Sequence, residues 1–322
     1  MERQEYERKL FTDIVNAIIA HGGAKLLSAV ILTGSFGRGE ATYSLDENGA
    51  LTLKSDVEIA LVYPRTTRKS DVQKLTHQIR AQFEEELNLM CMDESRLRNG
   101  YNFNHSLVPP RYITIFTYDL YHGSKTIWGK DYLSRGRWLF SRLDLYEAKR
   151  LIANRIGEMI YLQNQLTDVY TLNQWRAKVV LALGSAWLIC NGMYVSPYAK
   201  QFEQLKDIWQ QLDESFGAGF FRTYEQSFLF LRRDGLAPCL SDLELRGYVA
   251  AADRYMQTFG ICRARVNSLS RIVKYVIKYL PTGVKYGFVN FEDRILQSLI
   301  TQYHEGDENV TNTSHVWHSV LY

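Results

Sequence analysis

The chain has 322 residues, with 38 Lys and Arg against 35 Asp and Glu, for a formal net charge of +3. That near-balance argues against a protein that coats long RNA or DNA, which carries a larger basic excess. With 46% hydrophobic residues, 21 Tyr, 15 Phe and 6 Trp, the chain can build a packed core and is no disordered tail. The length fits two domains of ordinary size.

Charge is spread evenly, with no basic tail or acidic arm, so a polyanion would have to be drawn by a local site. Cys91, Cys190, Cys239 and Cys262 lie far apart and form no CxxC pair. Neither a zinc site nor a disulfide framework is indicated, and buried free thiols are expected. The first ten residues alternate charges without an apolar signal core. The longest apolar run, Val179 to Cys190, falls short of the roughly 20 residues that span a bilayer. The expected setting is the reducing cytoplasm, with no membrane partner.

Residues 2–22 read as an amphipathic helix: Leu10, Ile14, Ala17 and Ile18 recur at helical spacing, and His21-Gly22-Gly23 stops it. Ser28 to Thr33 is a short β-prone run that ends in Gly34-Ser35-Phe36-Gly37-Arg38-Gly39. Tyr43 to Leu53 has Asn48-Gly49 at its middle, the pattern of a hairpin. Val57 to Tyr63 is another strand, closed by Pro64. Ser70-Asp71 is expected to cap a helix with Val72, Leu75, Ile79, Phe83 and Leu87 on its apolar face. Residues 93–110 read as loop. Arg111 to Leu120 reads as a strand of β-branched and aromatic residues, followed by a short extension at Thr126-Ile127-Trp128.

Beyond about residue 140 helical patterns dominate, at 144–166, 172–191, 198–213, 218–232, 241–279 (interrupted near Gly260) and 291–303. The expected architecture is therefore α+β. A domain with a small mixed β-sheet and flanking helices occupies 1–140, an all-helical domain 141–303, and a tail 304–322, with the boundary between Trp128 and Asp144.

The chemistry is sought first at Gly34 to Gly39. Three glycines in six residues after a strand let the backbone turn tightly and approach a ligand, and successive amides there can hold phosphate oxygens. Such turns are common and decide nothing alone. Asp56 and Glu58 alternate with apolar residues, so a strand's two-residue period puts both carboxylates on one face. Adjacent acids repel unless solvent or a cation relieves them. Mg²⁺ takes such oxygen ligands together with substrate phosphates, although a solvent-facing sheet edge presents the same pattern. A third acid, Asp119, lies near the end of the expected strand 111–120, in register with Ile113, Ile115 and Thr117. An acid there is costly unless paired or metal-bound. Three carboxylates on neighbouring strands beside a glycine-rich turn would make a two-metal phosphoryl-transfer site.

On Leu32-Thr33-Gly34-Ser35, Asp56-Val57-Glu58-Ile59 and Asp119, the chain resembles the nucleotidyltransferase superfamily with the polymerase-β-like fold. The string from Gly34 to Glu40 looks like the bacterial stand-alone members with a helical C-terminal domain. The resemblance covers about residues 28–130. Two departures stand out: the spacing from Ser35 to Asp56 is longer than usual, with the Asn48-Gly49 hairpin to absorb it, and Glu58 stands where Asp is commoner.

The resemblance implies an enzyme that moves a nucleoside monophosphate from a nucleoside triphosphate, ATP being the expected one, to an acceptor hydroxyl and releases pyrophosphate. It implies two Mg²⁺ ions, with Mn²⁺ as an alternative. Gly34 and Ser35, helped by the amides of Phe36 and Gly37, would hold the β- and γ-phosphates. Asp56 and Glu58 would bind metal, and Asp119 would share the second ion and act as general base. Arg38 would meet the triphosphate charge or else pair with Glu40.

In the helical domain the resemblance implies Lys178, Ser196 and Tyr198 as further candidates for the triphosphate. Lys178 equally suits a lysine that snorkels to solvent, and Ser196-Pro197-Tyr198 a turn before the next helix. The expected acceptor is a small molecule, another nucleotide or a protein side chain, with long nucleic acid disfavoured. Two geometric expectations follow: Asp56, Glu58 and Asp119 converge beside Gly34-Ser35, and Lys178 faces the same cleft. Two other readings fit the same residues: a non-catalytic nucleotide sensor or scaffold, and a helical interaction protein with a small α/β cap.

Overall fold

The computed structural model describes residues 3–45, 51–53, 55–83, 86–98, 114–136, 143–163, 168–232, 240–259 and 291–306. The protein is α+β and divides into two compact units, Met1–Leu143 and Asp144–Tyr322.

The first unit opens with α1 (Arg3–Ala20) and a single turn, α2 (Gly23–Leu26). There follow β1 (Ala29–Leu32), α3 (Gly34–Arg38), the short strands β2 (Tyr43–Leu45) and β3 (Leu51–Leu53), β4 (Val57–Tyr63) and α4 (Lys69–Arg80). Then come β5 (Leu87–Asp93), α5 (Glu94–Arg98), α6 (Ile115–His122), β6 (Lys125–Gly129) and α7 (Leu133–Gly136). Four strands form a mixed sheet in the order β5-β4-β1-β6, with β4 and β5 parallel and the other pairs antiparallel.

Strand alternation sorts the side chains onto two faces. Val30 and Leu32 of β1 join Val57, Ile59 and Leu61 of β4 in one core with Leu10, Ile14 and Ile18 of α1 and Val72, Leu75 and Ile79 of α4. Ala29, Ile31, Ala60 and Val62 form the other, with Leu97, Leu120, Tyr121 and Leu133. Helices thus cover both faces, which is why all four residues of β1 are buried and the strand reads as an unbroken apolar run. β2 and β3 pair separately, Tyr43 opposite Leu53, as the hairpin pattern predicts. Asn48-Gly49 itself lies outside the described residues.

Four expectations change. Within the expected loop 93–110, Asp93 ends β5 and Glu94–Arg98 form α5. The strand expected at 111–120 is helical over Ile115–His122, residues 111–113 lying outside the described part. Thr114 caps that helix, its hydroxyl accepting from the Thr117 amide. Thr117, Leu120 and Tyr121 are buried at i, i+3 and i+4, so tertiary burial overrides the β propensity of the residues. Leu87 does not extend the apolar face of α4 but opens β5. Finally, α4 begins after Arg68 with no side-chain cap, and Asp71 sits in its first turn.

The second unit comprises α8 (Tyr146–Gln163), α9 (Val169–Cys190), α10 (Tyr198–Asp207), α11 (Trp209–Phe216), α12 (Phe220–Arg232), α13 (Asp242–Thr258) and α14 (Phe291–Glu305). The expected helix 198–213 is broken at Ile208, and residues 260–279 lie outside the described part. Helix α9 is central: α8, α10, α12 and α13 all pack on it, and every residue from Val179 to Cys190 is buried. Gly184 belongs in that run because a Cβ there would collide with the ring of Tyr224. Asp168 caps α9, accepting from the amides of Tyr170 and Thr171 at 3.1 and 3.0 Å. Ser241 and Glu244 form a reciprocal capping box on α13. Among the described residues no helix is long and apolar enough to cross a membrane. Cys91 and Cys190 are free thiols, and burial pushes that of Cys190 up to about 12.

Candidate active site

The site is built outward from the end of β1. Leaving the strand, Thr33 is tied to β4 twice: its amide and its hydroxyl both donate to the Glu58 carbonyl, at 2.9 and 3.2 Å. The chain then turns at Gly34, whose φ of 59° lies in the left-handed region that glycine enters without penalty. A second constraint acts at this residue, since a Cβ on it would collide with Glu58 Oε2. The glycine and the carboxylate on the neighbouring strand are therefore in direct contact.

One turn of helix follows. The Gly37 amide donates to the Thr33 carbonyl at 2.9 Å, and the Glu40 amide to the Ser35 carbonyl at 2.7 Å. The Ser35 hydroxyl oxygen is buried and has no hydrogen-bond partner among the described residues. Phe36 is an anchor: its buried ring packs edge-on against Phe11 and Tyr43, at 5.3 and 6.3 Å between centroids. Gly37 allows the turn after α6 to close in, because a Cβ there would sit 2.5 Å from the Gly123 carbonyl oxygen and 3.1 Å from Ser124 Cα. Arg38 pairs with Glu40 at 2.9 Å, the second of its two expected roles.

Asp56 is exposed just before β4, and the ribbon steadies its neighbour: Ser55 Oγ accepts from the Thr42 amide at 2.9 Å. Glu58 shares its strand face with Ala60 and Val62, which belong to the core that holds Leu120 and Tyr121 of α6. Asp119 thus rides on a helix over the same sheet face as Glu58. Its carbonyl accepts from the Gly123 amide at 2.7 Å and from the buried Ser124 hydroxyl at 3.4 Å, in the turn that abuts Gly37. Burial first, and then the Asp119 charge, hold the adjacent Tyr118 phenol above its ordinary range. Gly34 and Glu58 are brought together, while Asp119 arrives by a helix and not by a neighbouring strand. Among the described residues no three His, Cys, Asp or Glu side chains group as a ready metal site.

In the second unit, Lys178 lies on α9 with Nζ 3.9 Å from the centroid of the Trp175 ring. Ser196 is buried with its hydroxyl unpartnered, and Tyr198 begins α10. Sequence reasoning missed Thr33, Ser55 and the Gly123-Ser124 turn as supports of the loop. Ser55, a small polar residue just before an acid-bearing strand, was the one readable signal among them. Compared with models of known protein families and with curated proteins, the chain has no match.

Proposed function

We propose that the protein is a nucleotidyltransferase, with the Gly34-Ser35 turn and the acids Asp56, Glu58 and Asp119 as its working parts. The observation that carries this reading is the Glu58 carboxylate seated on Gly34, beside a Ser35 hydroxyl that is buried and unpartnered. The turn and Glu58 together offer a hydroxyl, a backbone amide and a carboxylate, the donor and acceptor set that a metal-bound phosphate chain requires.

The oxygen donors suit Mg²⁺, and Asp56, Glu58 and Asp119 would hold it. When bound, Mg²⁺ neutralises phosphate charge and favours ionisation of an attacking hydroxyl. In the proposed reaction the acceptor oxygen bonds to the α-phosphorus of the triphosphate. The bond from that phosphorus to the β-bridging oxygen breaks, and pyrophosphate leaves. The Asp119 carboxylate accepts the proton of the acceptor hydroxyl. Ser35 and the Phe36 amide would hold the β- and γ-phosphates, while the Gly37 amide, already donating to the Thr33 carbonyl, and Arg38, paired with Glu40, shape the turn. ATP is the expected donor, and the acceptor class is a small molecule, a nucleotide or a protein side chain.

The test is pyrophosphate release across a panel of nucleotides with Mg²⁺ and candidate acceptors. Asp56→Ala and Glu58→Ala should each lower the rate by on the order of 10²-fold or more, as expected when a charge-stabilising group is removed. Tight nucleotide binding without release under any acceptor would replace this reading with a nucleotide sensor. Absence of Mg²⁺-dependent nucleotide binding would remove both.

A further inference from the structure

We infer that the helical unit carries a second anion site, formed by Arg176 of α9, Arg246 of α13 and Tyr303 of α14, that takes an oxyanion of the phosphate class. It shares no residue with the proposed nucleotide site. Two guanidiniums converge on one carboxylate: Arg246 Nη2 lies 3.0 Å from Asp242 Oδ2 and Arg176 Nη2 3.7 Å from Asp242 Oδ1. Among the described residues one acid balances one of the two cations, which leaves the cluster a surplus positive charge.

Among the described residues, three donors on these side chains are unmet. Arg176 Nε, Arg246 Nε and the Tyr303 hydroxyl are all buried without a hydrogen-bond partner. Asp242 contacts one terminal nitrogen of each guanidinium and leaves both Nε atoms untouched. Tyr303 is 3% exposed, and its ring lies 5.6 Å from Arg246 Cζ. Burial first, and then the charge of Asp242, push the phenol well above its ordinary range, so at neutral pH the hydroxyl remains a donor. Gly306, at φ 75°, lies against Arg246 Nη1, and a Cβ there would collide with it.

Buried donors without acceptors are costly and call for an explanation. Guanidinium forks match phosphate oxygens in geometry and charge, and the tyrosine adds a neutral donor beside them. An oxyanion with several acceptor oxygens satisfies all three donors and the surplus charge together.

The experiment is thermal unfolding of the full chain against inorganic phosphate, without Mg²⁺ and at ionic strength fixed with chloride. The midpoint should rise saturably with phosphate and not with chloride. Tyr303→Phe removes only an unpartnered hydroxyl, so the fold should survive while phosphate affinity drops about tenfold, the scale of one hydrogen bond to a charged group. Arg246→Lys keeps the charge but loses the fork and should weaken binding at least as much. Glycerol phosphate serves as a second probe: tighter binding than inorganic phosphate identifies a phosphorylated metabolite, and equal binding the phosphate group alone. The inference is overturned if both variants respond to phosphate as wild type does. It is also overturned if Glu58→Gln, in the other unit, abolishes the response, because the phosphate then sits at the proposed nucleotide site.

Discussion

At the scale of single residues, Gly34 is the most constrained position in the candidate site. It combines a positive φ, at which any side chain is strained, with the Glu58 carboxylate, the movable end of a flexible side chain, against its Cα. Gly34→Ala is expected to destabilise the protein by about 1–3 kcal/mol from backbone strain alone, with the collision adding to it. Urea unfolding of Gly34→Ala, Glu58→Ala and the double variant separates the two terms. The double variant should be more stable than the sum of the singles predicts, because removing the carboxylate relieves the collision and leaves the strain. Strict additivity would show that residue 34 and Glu58 are not in contact. Gly37 is a milder case of the same logic: its φ is ordinary, and the approach of the Gly123 and Leu32 carbonyls forbids a side chain.

At the scale of elements, β5 is an edge strand that helix α4 guards. Arg80 donates to the carbonyls of Leu87 and Leu89 at 3.1 and 3.3 Å, filling acceptors that an open edge would offer to another chain. Arg80→Ala should cost about 1 kcal/mol and raise concentration-dependent association in sedimentation velocity. Unchanged association would mean that the guanidinium does not protect the edge.

The cap of α9 gives a pH prediction. The Thr171 hydroxyl, then the amides of Thr171 and Tyr170, hold the Asp168 carboxyl below the usual carboxylate range. Because the folded-state value is the lower one, its contribution is present above about pH 4 and is lost as pH falls through the folded value. Asp168→Ser keeps an acceptor at the cap without the titration. Wild type should therefore lose more of its thermal midpoint than this variant between about pH 5 and about pH 3, and parallel curves would refute the assignment. Elements with long single-period patterns, such as α1, α9, α12 and α13, were legible in the sequence within a few residues. β5 and α6 were not. Leu87 continues the spacing of α4, and a short apolar run has no period that separates strand from buried helix. The β-branched and aromatic residues from Ile115 to Tyr121 obey their burial and not their propensity. Gly34, Ser35 and Glu58 were legible as a pair of motifs, but the contact between Gly34 and the carboxylate was not, because it depends on the β1–β4 register. For Asp119 the strand parity argued from the sequence does not apply on a helix.

At the scale of the whole molecule, the net charge of +3 offers little attraction to a long polyanion. A labelled RNA of about 30 nucleotides should bind no tighter than the non-specific range of roughly 10⁻⁴ to 10⁻⁶ M at physiological salt. Fluorescence anisotropy showing nanomolar affinity would overturn that expectation and reopen nucleic-acid ends as acceptors. The sheet also has a history written into its order. β1 lies between β4 and β6, and Ala29 pairs with Val62 on one side and with Gly129 on the other. The second partner is made about a hundred residues after the first strand. At ribosomal speeds of about 5–20 residues per second, the strand that launches the glycine turn waits roughly 5–20 s with one edge bare. During synthesis, the nascent chain is thus most open to mispairing or chaperone capture at the strand on which its proposed chemistry depends.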